Sequence, residues 1–340
     1  MNRRTVVQVG ISFVIGGVFL VLAFRNVPLR ELGQALARFH WTWLLPAVAV
    51  SVLLMLMRTW RWQLELLPLQ RLPFGRLWAV TAVAYSAINL LPARLGEVVR
   101  PWLLAQVTSV RMSQAIGSLV VEKLMDSFSI LAYILLGLVI TAELPPWIRQ
   151  GAVVPAIFTA GFAAVVAITY ARGEQFFARA VQPVLPHRLA EASLRIVRAV
   201  LDGMRVLPDG RLLGTVFLAS LLLWFLPILS SWVVIQGFGF AVPFSAALVV
   251  FIFIGFGTAL PNAPGMIGTF QYACVLALGL FGVPEADALA FGFLLNALQL
   301  LTIVAQGMVG SFVLGVSIQE LRRAALSEAP AAVEAGSEAR

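Results

Sequence analysis

The sequence predicts an all-α, polytopic membrane protein, with about six full transmembrane helices plus two re-entrant helical hairpins in an inverted repeat. Three observations predict it. Of 340 residues, 60% are hydrophobic and 12% charged, against about 25% charged in an average soluble domain. The apolar residues fall in runs of about 20, the length that crosses a bilayer as a helix. Two apolar stretches are broken by Pro and Gly, and the first break carries charge. That break is Ile88–Arg100 (INLLPARLGEVVR), which holds Arg94, Glu97 and Arg100 within seven residues, together with Pro92 and Gly96. A charge near the bilayer centre costs at least about 3 kcal/mol, and Pro and Gly break helices. A broken backbone at that depth survives only where protein or a water-filled cavity surrounds it. Both costs fall on one segment, so it reads as a hairpin whose tip faces a polar cavity.

The formal net charge is +8, from 24 Lys+Arg against 16 Asp+Glu, and Lys123 is the only lysine. In a membrane protein a basic balance marks cytoplasmic loops beside anionic lipid. The arginines are scattered over short loops between apolar spans, which argues against a nucleic-acid partner. The single cysteine, Cys274, excludes an intrachain disulfide and a metal site built from Cys. The two histidines, His40 and His187, fall in loops. No metal and no cofactor are expected.

In order, Val6–Phe24 reads as an uncleaved first span, because no small-x-small site follows it before Arg25. Arg25–His40 reads as a polar loop. Trp41–Met57 is a second span that opens on Trp41 and Trp43 and closes on Arg58, Trp60, Arg61 and Trp62, an aromatic belt with a basic flank. Gln70–Arg76 is loop. Leu77–Leu104 is the first hairpin, bent at Pro92–Gly96. Ala115–Ala142 and Gly151–Tyr170 are spans. Arg172–Arg211 carries seven arginines and reads as a helix lying on the membrane: Leu194, Val197, Leu201 and Met204 recur at helical spacing, with Arg195, Arg198, Asp202 and Arg205 elsewhere on the wheel. Leu212–Ile235 spans again, kinked at Pro227. Pro243–Val283 is too long for one span and is interrupted by LPNAPG, so it reads as the second hairpin. Ala286–Val316 is the last span. Residues 1–318 thus form one membrane domain, with half-repeats of about 1–142 and 151–318. Residues 319–340, rich in Ala, Glu, Ser and Arg, read as a disordered tail.

Charge sets the expected topology. With the N-terminus inside and both hairpins returning to the side they entered, 17 Lys/Arg lie inside, and four (Arg25, Arg30, Arg38, Arg149) lie outside. A full crossing by Leu77–Leu104 would put the seven-arginine segment outside, so the positive-inside rule favours the hairpin and cytoplasmic termini. Each half then reads span, span, hairpin, span, and three crossings per half invert the second. The bends match locally, Leu91-Pro92-x-x-x-Gly96 against Leu260-Pro261-x-x-x-Gly265. Interrupted helices of inverted repeats commonly meet at a central site.

The candidate substrate-binding residues are Arg94, Glu97, Arg100, Glu122, Lys123, Asp126, Asn262 and Gln271. Glu122 and Asp126 are four apart and share a helix face that can meet the hairpin arginines. Arg94 and Arg100 sit where the second half-helix begins, and free N-terminal amides with Arg suit a phosphate. Three acids and three bases balance there, so a purely structural staple between hairpin and helix is the other reading. Asn296, Gln299 and Gln306 on the last span suit interhelical hydrogen bonds. Glu65 and Glu143 read as solvated boundary charges.

NLLPARLGEVVRPWLL, then VEKLMDSF, then LPNAPGMIGTFQ together resemble the lysylphosphatidylglycerol synthase transmembrane-domain family. That flippase-like domain is shared by the multiple peptide resistance factor and by stand-alone bacterial and archaeal membrane proteins. The resemblance spans roughly Val6 to Val316. It carries over Pro92, Arg94, Gly96, Glu97 and Arg100 from the first motif, and Glu122, Lys123 and Asp126 from the second. The third motif departs: Met266 and Gln271 stand where the family tends to have a Gly-Gly pair and an acid, so no second-half carboxylate carries over. The resemblance implies movement of a phospholipid or glycolipid between the leaflets of a bacterial or archaeal cytoplasmic membrane. It implies no aminoacyl-transferase activity, since only a short tail follows Val316.

Two other functions compete. An intramembrane enzyme acting on a lipid would need more than a Glu/Asp pair, and no Ser-His, Cys-His or metal arrangement is present. A scaffold would recruit cytoplasmic partners through Arg172–Arg211. A homo-oligomer is compatible with all three.

Overall fold

The computed structural model describes residues 3–90, 96–141, 146–181, 209–258 and 263–315, with isolated positions from 183 to 201. Among them every regular element is helical. The helices are α1 (Arg3–Phe24), α2 (Leu29–Ala37), α3 (Leu44–Leu66), α4 (Phe74–Leu90), α5 (Gly96–Val107), α6 (Met112–Ile140), α7 (Pro146–Gly151), α8 (Val153–Val181), α9 (Gly210–Phe238), α10 (Ser245–Thr258), α11 (Thr269–Gly279) and α12 (Glu285–Leu314). Five segments are long and apolar enough to cross a membrane: Trp41–Leu66, Met112–Ile140, Ile148–Arg172, Gly210–Phe238 and Glu285–Leu314. A sixth forms if α1 and α2 count as one span bent by 79°. This is a polytopic, all-helical membrane protein.

Two expected segments differ. Arg25–His40 is not a plain loop, because it contains α2. Leu32, Ala35, Leu36 and Phe39 recur at i, i+3, i+4 and i+7, and this stripe packs on the core while Arg30, Glu31 and Arg38 face outward. The charge on the outer face hides the period. Pro28 supplies an extended residue before the first turn, and Arg38 pairs with Asp287 of α12 at 2.6 Å. The second correction is that α3 continues about two and a half turns past Met57, to Leu66, so Arg61, Trp62 and Glu65 lie inside the protein. The Arg172–Arg211 segment also departs at its start, where α8 runs on to Val181. Farther along, Leu194 is buried and Leu201 packs against the apolar cluster that contains Val121 and Val216. The expected bends at 91–95 and 259–262, and the tail 319–340, lie outside the described residues.

The helix neighbours come in pairs. α3 lies against α9 at the centre. α4 packs on α5 as α10 packs on α11; α3 meets α4 as α9 meets α10; α5 meets α6 as α11 meets α12. α6 touches α9 and α10, and in the same way α12 touches α3 and α4. The outer helices break the pairing, since α1 lies on α11 whereas α8 lies on α6.

Small residues allow the closest approaches. A Cβ on Gly310 would stand 2.8 Å from the Ala79 carbonyl oxygen, so glycine there lets α12 lie directly on α4. Nearby, Ser86 Oγ donates to the Ile303 carbonyl at 2.8 Å. Gly268 has φ +95°, and a Cβ on it would overlap the Gly16 carbonyl of α1. Gly268→Ala therefore combines a disfavoured conformation with a backbone collision. It is expected to lower stability by about 1–3 kcal/mol, read as a fall in the melting temperature of the detergent-purified protein.

Candidate functional site

The centre of the protein holds a buried ionic network, built from four helices that each present one face. On α3, Arg58, Arg61, Trp62 and Glu65 follow i, i+3, i+4, i+7 and so share a stripe. On α6, Ser118, Glu122 and Asp126 are spaced by four. On α9, Ser220 and Trp224 are spaced likewise, and α5 contributes Arg100. Glu122 and Ser220 each lie ten residues from the start of their helices, about 15 Å at 1.5 Å per residue. The α6 and α9 members thus lie well within their apolar helices, while Arg61 and Glu65 lie in the last turns of α3.

Arg61 is the hub. It is 1% exposed. Its Nη1 donates to Asp126 Oδ1, and to Ser220 Oγ at 3.2 Å; its Nη2 is 3.2 Å from Glu122 Oε1 and its Nε 3.5 Å from Glu65 Oε1. Asp126 Oδ1 also accepts from Trp224 Nε1 at 2.7 Å. One guanidinium therefore ties α3 to α6 and α9. Arg100, 3% exposed, donates from Nη1 to both Glu122 oxygens at 2.8 Å. Its guanidinium carbon lies 3.9 Å from the centre of the Trp62 ring and 5.6 Å from that of Tyr85, a stacked and largely dry setting. Trp62 is itself oriented by donation from Nε1 to Ser118 Oγ at 3.2 Å. Arg58, half-buried, lies 4.2 Å from the Tyr85 ring centre.

Not every polar atom is satisfied. Among the described residues, Arg61 Nε, Arg100 Nε and Nη2, and both oxygens of Glu65 are buried without a hydrogen bond. Buried charges are ordinarily both paired and hydrogen-bonded, so these atoms mark where the network has capacity to spare.

The structure brings together Arg100, Glu122 and Asp126 of the residues read from the sequence. Arg94 and Asn262 lie outside the described residues; Glu97 lies in α5, with its side chain outside them. Lys123 is exposed on α6. Gln271 is buried, but its Oε1 accepts from the Gly268 amide at 2.7 Å, which holds the start of α11. Asn296 donates at 3.0 Å to the Gly265 carbonyl, in the turn before α11 rather than in another helix, and Gln306 donates to Thr302 of its own helix, so neither makes the expected interhelical bond. Glu65 corrects the expectation of a solvated boundary charge, being 1% exposed. Arg61 and Glu65 were hidden because a Trp/Arg cluster after an apolar run has the same composition whether it snorkels or turns inward. Their i,i+4 spacing, matching that of Glu122 and Asp126, was the available signal.

Residues 7–307 match the family described as "Lysylphosphatidylglycerol synthase TM region". The chain belongs to this family. All the network residues, from Arg58 to Trp224, lie within the matched range. A similar protein described as "UPF0104 membrane protein", from Methanothermobacter thermautotrophicus, is 23% identical over 327 residues, covering 91% of this chain and 96% of that protein. No solved structure gives a significant match. The family is defined on a transmembrane region, in keeping with a lipid-related membrane protein.

Proposed function

We propose that this member of the lysylphosphatidylglycerol synthase transmembrane family is a lipid translocase, a flippase or scramblase, rather than an enzyme. The headgroup of a phospholipid or glycolipid would pass along the polar centre while its acyl chains stay in the bilayer. The observation that carries the reading is Arg100. It is buried and neutralised on one side by Glu122, and it keeps Nε and Nη2 without acceptors. A lipid phosphate offers acceptor oxygens of the right charge, two of which can meet the planar guanidinium fork. Arg94, six residues earlier at the expected bend, would extend the same polar path.

Two architectural readings support this. The arms α4, α5, α10 and α11 contain 17, 12, 14 and 11 residues. At about 1.5 Å per residue each falls short of a hydrocarbon core of about 30 Å. Each pair packs on itself, as the arms of a re-entrant hairpin would. The matched helix neighbours of the two halves support an inverted repeat. Orientation rests on charge: without Arg58 and Arg61, which the fold takes inside, fifteen Lys/Arg still face four, favouring cytoplasmic termini. Single cysteines at positions 185 and 240, in a background lacking Cys274, are expected to label from opposite sides of the membrane. Labelling of both only from outside would overturn this topology.

The function is tested with purified protein in liposomes carrying a headgroup-labelled phospholipid. Protein-dependent transbilayer movement is the expected result. Chemical turnover of the lipid would make the protein an enzyme, and neither movement nor turnover would sink the translocase.

A further inference from the structure

The translocase reading gives no role to the buried acid Glu65. It sits on α3, 1% exposed, and among the described residues neither carboxyl oxygen receives a hydrogen bond. Its ion contact among them is the 3.5 Å approach to Arg61 Nε. Among the described residues, the charged and titratable groups around it are engaged elsewhere or exposed. On its own helix, Arg61 is engaged by Asp126 and Glu122, and Arg58 lies over the Tyr85 ring of α4. On α5, Arg100 is held by Glu122. On α6, Glu122 and Asp126 are already paired, and Lys123 is exposed. The facing α9 residues, Ser220 and Trp224, carry no charge.

The charge count points to the same group. Two fully buried guanidiniums, Arg61 and Arg100, are held by two well-bonded carboxylates, Asp126 and Glu122. The third arginine of the network, Arg58, is only half-buried and lies against the Tyr85 ring, so Glu65 is a third acid with no closely bonded cation of its own. An ionised carboxylate held dry without hydrogen bonds is so unfavourable that such groups take up a proton instead. We infer that Glu65 is a proton-binding site: it is a neutral acid in this closed arrangement and ionises when the Arg61 network opens, which links one proton to each transport step. The inference rests on the translocase reading for what the proton is linked to, but the protonated acid is observable by itself. The step is a single transfer. On opening, the O–H bond of Glu65 breaks and the proton goes to water on the side then exposed; on closing, a proton from water rejoins the carboxylate. A neutral Glu65 also frees Arg61 from one contact, so the acid and the hub open together.

Infrared spectroscopy of the purified full chain at neutral pH tests the site. A protonated carboxylic-acid carbonyl band is expected, shifted by isotope labelling of glutamate and absent in Glu65→Gln. Because an amide replaces a neutral acid with little change of shape or charge, Glu65→Gln should melt within a few degrees of the unmodified protein. No acid band, or a band that neither the label nor Glu65→Gln removes, overturns the inference. If Glu65→Gln fails to fold, Glu65 is needed in its charged form and the inference falls as well. In liposomes, lipid movement should vary by up to about tenfold per pH unit, the slope for one linked proton, and Glu65→Gln should flatten it. Lipid movement with an unchanged pH profile in Glu65→Gln overturns the coupling and leaves the translocase standing. Absence of any lipid movement sinks the translocase while the infrared band still decides the proton site.

Discussion

Replacing Arg61 by glutamine should cost the protein about 3–5 kcal/mol of stability, the usual penalty for removing one partner of a buried ion pair. The guanidinium contacts Asp126, Glu122, Glu65 and Ser220. Without it, Asp126 keeps only the Trp224 indole hydrogen bond, and α3 loses its polar ties to α6 and α9. The expected readout is a large fall in melting temperature in detergent. Adding Asp126→Asn to Arg61→Gln should recover part of the loss, because the stranded carboxylate becomes neutral. Glu122 would remain paired with Arg100 in the double variant. An Arg61→Gln protein as stable as the unmodified one would show that the network does not hold the helices together.

Arg100→Gln should act on transport more than on the fold. Glu122 retains its 3.2 Å contact with Arg61, which then serves two buried acids, so the loss of stability should be smaller than for Arg61→Gln. What is lost is the guanidinium with two unfilled donors, stacked on Trp62. Hydrogen bonds to a charged group are worth about 1.5–3 kcal/mol, so lipid movement should slow by roughly ten- to a hundredfold at 1.4 kcal/mol per decade. Arg100→Lys keeps the charge but loses the planar fork and the ring contact, and should be intermediate. Arg94→Lys and Arg94→Gln should follow the same order. Melting temperature and lipid movement measured on the same preparations separate a transport defect from a folding defect. A folded, fully active Arg100→Gln would remove Arg100 from the headgroup path.

The spans were legible wherever a long apolar run stood alone, as in α9 and α12. So were Glu122 and Asp126, since charge inside an apolar helix has no cheap alternative explanation. Near the ends of runs the same logic fails. Trp41–Met57 is a complete-looking span, and Arg58–Trp62 makes a complete-looking interfacial belt, yet the helix continues to Leu66. Long amphipathic side chains satisfy either reading until a partner is present. Gln271 shows the converse error: a polar residue beside a broken helix suits a ligand, but the amide of Gly268 claims it first.

The sequence by itself determined that this is a multi-pass helical membrane protein of the lysylphosphatidylglycerol synthase transmembrane family, because span length, low charge and local motifs are properties of contiguous residues. Only the tertiary structure decided which charges meet. Arg61 reaches Asp126 across 65 positions and Ser220 across 159, and Arg100 reaches Glu122 across 22. No local period encodes those meetings. They follow from α3 lying against both α6 and α9, where desolvation compels each buried charge to find its opposite.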